Sequence, residues 1–69
     1  MPIYLADPHV DYVIRQITGT DKIKNHLSNL GFIVGETIML VNKVDSNVIV
    51  KIKGVSLAIS EELAKRILV

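Results

Sequence analysis

Cysteine and tryptophan are absent from this 69-residue sequence, and aromatic rings come from one phenylalanine and two tyrosines. Without cysteine, disulfides and thiolate metal sites are excluded. Charge of one sign is also missing. Eight basic residues face seven acidic ones, a formal net charge of +1. A nucleic-acid binder carries a basic excess or a basic run, so the balance argues against strong phosphate binding. No apolar run approaches the roughly 20 residues needed to cross a bilayer. The opening stretch, MPIYLADPHV, has no basic segment followed by an apolar one, so it does not read as a secretory signal. These absences lead to the expectation of a cytoplasmic protein with no direct membrane insertion.

Catalytic motifs are lacking too. His9 and His26 have no serine or aspartate at a spacing that forms a triad. The glycines at 31 and 35 are followed by apolar residues and Glu36, not by the Lys-Ser/Thr of a phosphate loop. The sequence therefore reads as non-enzymatic, with no cofactor. One cluster could hold a metal. In ADPHVD, an extended chain would bring Asp7, His9 and Asp11 to one face. Carboxylates and an imidazole suit ferrous iron or zinc. The plainer reading, a solvated polar edge beside Pro8, is preferred, and no metal site is assigned. His26 reads as a surface histidine near a helix C-terminus.

What the sequence does have is a 49% apolar fraction rich in Ile, Leu and Val. Such residues suit strands. A chain this short forms one domain, whose stability must come from packing. Residues 1–9, with Pro2 and Pro8, read as an N-terminal arm. The domain proper is expected over residues 10–69. Residues 10–17 read as a strand with Val10, Tyr12 and Ile14 on one face and a bulge near Gln16. Thr20 is placed to cap a helix on which Ile23, Leu27 and Leu30 form one stripe. Gly31 stands where a left-handed helix terminus belongs. Gly35 marks the change from helical to strand period.

Residues 36–44 and 48–53 are expected to form a hairpin around Asp45-Ser46-Asn47, with Asn47 at positive φ. Ile38, Leu40 and Val44 would face inward with Val48, Val50 and Ile52. Gly54 breaks the chain before a third strand carrying Val55, Leu57 and Ile59. Ser60 caps a short helix, and the final Ile-Leu-Val returns as a strand. Short strands joined by tight turns point to a small, partly closed antiparallel barrel, because closure removes exposed edges.

The outer face of the hairpin is the candidate site. With the inward set assigned, Met39, Val41 and Ile49 point outward, beside Lys43, Lys51 and Lys53. Apolar side chains rimmed by lysines mark a protein contact. The competing reading is that the terminal helix, or the arm with Ile3, Tyr4 and Leu5, covers this face. Partner-binding residues are accordingly Met39, Val41, Ile49 and Lys51, and the structural turns are Gly31, Gly35 and Gly54.

The stretches LSNLGFIVGETIMLV and VIVKIKGVSLAISEELAKRILV resemble the ferrous iron transport protein A (FeoA) family. The matching positions are Leu27, Leu30, Gly31, Phe32, Gly35, Gly54, Leu57, Ala64 and Ile67. The sequence departs from the family pattern in lacking a glycine ahead of the first strand and in the hairpin loop. The resemblance implies an all-β SH3-like barrel with short helices. It also implies a role in ferrous iron uptake, with the membrane GTPase and iron transporter FeoB as partner. The alternative is a metal-binding or metal-sensing module related to the C-terminal domain of iron-dependent repressors. A self-associating scaffold, a homo-oligomer held by this face or by edge strands, is a third reading.

Overall fold

The computed structural model describes residues 1–69. A single 3-10 turn at Ile3–Leu5 precedes β1 (Asp11–Val13) and β2 (Gln16–Ile17). Then come α1 (Asp21–Asn29), β3 (Thr37–Val44), β4 (Asn47–Ile52) and β5 (Val55–Ser60). The chain ends with α2 (Glu61–Ala64) and β6 (Ile67–Leu68). One sheet has the order β1-β3-β4-β5, the other pairs β2 with β6, and every named strand pair is antiparallel.

The strand expected over residues 10–17 is thus two strands in two sheets. The hydrogen bonds give the reason. Ile14 exchanges bonds with the Gly35–Glu36 corner: its N–H donates to Glu36 O at 2.9 Å, and its carbonyl accepts from Gly35 N at 2.8 Å. The next N–H, from Arg15, donates instead to Leu68 O at 2.8 Å. The chain changes partner between two adjacent residues. It passes from one sheet to the other where a bulge near Gln16 was expected, and the two sheets do not close through one continuous ladder.

Thr20 caps α1, its Oγ1 accepting from Ile23 N at 3.3 Å. The helix ends as the sequence indicates. Gly31 has φ +102°, Phe32 N–H donates to Leu27 O at 3.0 Å, and Gly31 N–H donates to Ser28 O at 3.0 Å. This pair of bonds is the Schellman terminus. It turns the chain so that Phe32 enters the core, where it is 1% exposed.

Gly35 has φ +98°, and Glu36 N–H closes a turn onto Ile33 O at 3.0 Å. Positive φ at the third position of such a turn is the type II signature, which favours glycine. A Cβ at Gly35 would meet nothing within 4 Å. Gly35→Ala is therefore expected to cost about 1–2 kcal/mol from backbone strain alone. Urea unfolding checks this, and an unchanged midpoint would remove the turn's conformational requirement.

Two details of the hairpins differ from expectation. The β3–β4 loop is Asp45-Ser46, and the positive φ (54°) belongs to Asp45, not Asn47, which pairs with Val44 inside the ladder. Register also shifts between Leu40 and Asn42, leaving Val41 as an extra residue. Beyond that bulge the facing inverts. Val44, expected inward, is 48% exposed, while Lys43 sits opposite the buried Val48.

Thirteen residues are buried, all hydrophobic. They come from every part of the chain: Ile3 and Ala6, Ile14, Leu27, Phe32, the inward side chains of β3, β4 and β5, then Ala64 and Ile67. The first residues are bound to the rest by a bridge from Pro2 to Leu68 and a parallel bridge from Pro8 to Leu40. Ser60 Oγ caps α2, accepting from Leu63 N at 3.2 Å. No helix is long and apolar enough to cross a membrane.

Candidate functional site: the outer face of the sheet

In an antiparallel ladder, directly opposed residues share a face. One outer row therefore runs Asp11, Met39, Lys51, Ser56 across the four strands. A second holds Asn42, Ile49 and Ala58, and on one side Val13 stands opposite Thr37. Met39, Val41 and Ile49 are half-buried, and Lys51 is exposed. Val41 is the bulge residue, so it stands beside this face outside the ladder.

The face is not roofed. Asp11, Val13, Thr37, Lys51, Ser56 and Ala58 on it are all exposed. The elements expected to cover it lie on the other side. Ile3 and Ala64, fully buried, belong to the core that the inner faces of β3 and β4 enclose. A concavity of about 380 Å³ opens beside Met39, lined also by Asp11, Thr37, Lys51, Lys53 and Gly54. Lys53 forms an ion pair with Glu36 at 3.6 Å. Both side chains are exposed, and such pairs contribute little to stability.

Lys43 is not part of this face. The bulge carries it to the inner side, where its Nζ lies 4.2 Å from the centre of the Tyr4 ring. Lys65 approaches the same ring at 5.2 Å. Both distances are within cation–π range. Lys65 also donates to Glu61 Oε1 at 3.1 Å, and this hydrogen bond is the main cause of a lysine pKa raised above its ordinary value. Tyr4 thus joins the N-terminal turn to β3 and α2. The i,i+4 spacing of Glu61 and Lys65 is visible in the sequence, but the shared ring is not.

Asp7, His9 and Asp11 are not brought together. His9 has φ +63°, so the extended path that would align them is broken. Nowhere do three or more His, Asp or Glu side chains gather in a metal-holding group. His26 is exposed in the last turn of α1.

The model of the FeoA domain matches residues 1–69. The chain belongs to the FeoA family. An iron uptake regulatory protein (FeoA) has a TM-score of 0.87 at 25% identity, over 97% of this chain and 91% of that one. FeoA from Stenotrophomonas maltophilia, solved with zinc and described as a prokaryotic SH3 domain protein, has a TM-score of 0.83. It is 24% identical over 99% of this chain and 87% of that one. IdeR from T. acidophilum gives 0.82 at 29% identity, over 97% of this chain but 32% of that longer one. No curated protein sequence matches. The FeoA-family fold is therefore all-β with short helices and SH3-like, and the family is one of small proteins connected with ferrous iron transport.

Proposed function

We propose that this FeoA-family protein is a non-enzymatic cytoplasmic accessory of ferrous iron uptake that docks on the membrane transporter FeoB. Docking is through the outer sheet face, with Met39, Val41 and Ile49 as apolar contacts and Lys51 at the rim. The observation that carries this reading is the unroofed face itself: half-buried apolar side chains among exposed neighbours, opposite a fully apolar core. A patch of this composition buries against a partner at little desolvation cost.

Docking regulates the transporter only if affinity differs between its states. The test is calorimetric titration of FeoB's cytosolic GTPase domain, loaded with GDP or with a non-hydrolysable GTP analogue. Binding is expected in both, with affinities about tenfold apart, equivalent to about 1.4 kcal/mol. Equal affinities would reject regulation through this domain, and absence of binding in both would reject docking on it.

A second reading, a metal-binding or metal-sensing module, draws on the resemblance to iron-dependent repressors and on the likeness to IdeR. The ungathered Asp7, His9 and Asp11 give it no site to start from.

A further inference from the structure

β5 is an edge strand. The four-stranded sheet ends on it, and only β4 pairs with it. Its six residues are Val-Ser-Leu-Ala-Ile-Ser. They include no charge, no proline and no bulge, and its ladder with β4 is uninterrupted from Asn47↔Ser60 to Ile52↔Val55. Those are the devices that normally protect a sheet edge from pairing with another chain. The opposite edge, β1, has three residues and an Asp at its start. It is also continued by His9, whose N–H donates to Leu40 O at 2.8 Å.

Backbone accounting shows what β5 leaves open. The two-residue turn at Lys53-Gly54 makes Ile52 and Val55 the closing pair of the hairpin. Along an antiparallel ladder, residues bond alternately inward and outward. Val55, Leu57 and Ile59 then bond β4, and Ser56 and Ala58 turn their N–H and C=O groups to the free edge. Ser60 turns its N–H the same way, while its carbonyl starts α2. No backbone bond outside the regular elements involves residues 55–60. Ser56, Ala58 and Ser60 are all exposed.

We infer that β5 is a self-pairing edge: two copies of this chain join antiparallel along β5 about a two-fold axis at Ala58. The argument for a second copy is self-complementarity. In this register Ala58 meets Ala58 of the other copy, Ser56 meets Ser60, and Leu57 meets Ile59. Small faces small on the outer side, apolar faces apolar on the inner side, and no like charges meet. Cross-strand pairs of this kind stabilise a sheet. The open N–H groups of Ala58 and Ser60 gain acceptors in Ala58 and Ser56 of the other copy. A two-fold axis makes the contact isologous, so association stops at the dimer. The inference does not rest on transporter docking, because the seam uses the edge of β5 and not Met39 or Lys51.

The test is sedimentation of the full chain from low micromolar to millimolar concentration, with amide exchange followed by NMR. The mass is expected to rise towards that of two chains, and exchange at Ala58 and Ser60 to slow as concentration rises. Ala58→Pro removes an outward N–H that the monomer leaves unbonded, and Ala58→Lys puts two ammoniums across the axis. Both are expected to stay monomeric with native-like amide spectra. A wild-type chain that remains one chain at millimolar concentration would overturn the inference. So would dimerisation of Ala58→Lys, or exchange at Ala58 and Ser60 that ignores concentration.

Discussion

Replacing Phe32 by alanine is expected to destabilise the protein by about 3–5 kcal/mol. Phe32 is the sequence's one phenylalanine and heads the largest fully buried side chains. It enters the core directly from the end of α1, one residue after Gly31. Truncation leaves a cavity in the buried cluster that also holds Ile3, Ile14, Leu27 and Ile38, all at most 1% exposed. That cluster is assembled from segments between Ile3 and Ile67, so collapse of one element does not refill it. The total stability of a 69-residue domain is about 3–10 kcal/mol. The variant therefore loses a large part of it, and its melting temperature is expected to fall by on the order of 20 °C. Phe32→Leu keeps most of the volume and is expected to lose less. Calorimetry of the two variants checks the order. A loss below about 1 kcal/mol for Phe32→Ala would mean that the core closes without its largest member.

The second large effect concerns docking. From the sequence, Lys51 with reversed charge and Met39→Asp are the natural disruptive pair. The register changes that choice. Met39 stands between Asp11 and Lys51 in one cross-strand row. An aspartate at 39 would sit beside Asp11, and opposed like charges destabilise a sheet. Lost binding could then reflect a damaged fold. Met39→Lys combined with Lys51→Glu instead sets an ammonium at position 39 between two carboxylates, that of Asp11 and the new one at position 51. Neighbours along the row then attract. The variant replaces the apolar contact and reverses the rim charge while supporting the strands. Its affinity for the cytosolic domain of FeoB is expected to fall at least about 100-fold, or about 2.7 kcal/mol. The unfolding midpoint is expected to stay near that of the wild type. Unchanged affinity in the folded variant rejects this face as the docking site.

Local chemistry was readable one segment at a time. The residues that cap α1 and α2, Thr20 and Ser60, act within three residues of themselves. Gly31 and Gly35 impose backbone geometry at their own positions. The inward set Ile38, Leu40, Val50 and Ile52 follows from alternation, which is strict where the ladder is regular. Prediction failed where partners distant in sequence intervene. The bulge at Val41 moved Lys43 and Val44 to unexpected faces. Nothing in residues 36–44 announces it, because a bulge depends on how the second strand and the N-terminal segment engage the first. His9 N–H bonds Leu40 O beside that shift, a contact no local pattern contains.

The candidate site divides in the same way. Alternation named Met39, Ile49 and Lys51, and the register then placed them among exposed neighbours. Whether the arm or the terminal helix roofed that face was undecidable from composition, since Ile3 and Ala64 could pack on either side of a two-sided sheet.

The sequence by itself determined where both helices start and where α1 stops, which side chains are apolar enough to be buried, and which family pattern they follow. Those properties belong to single residues and their near neighbours. Only the tertiary structure decided that one expected strand serves two sheets, that the first residues complete the core, and that β5 is left with an open edge. Each depends on which backbone groups find partners across the fold, and a hydrogen bond to a distant residue leaves no local trace in the sequence.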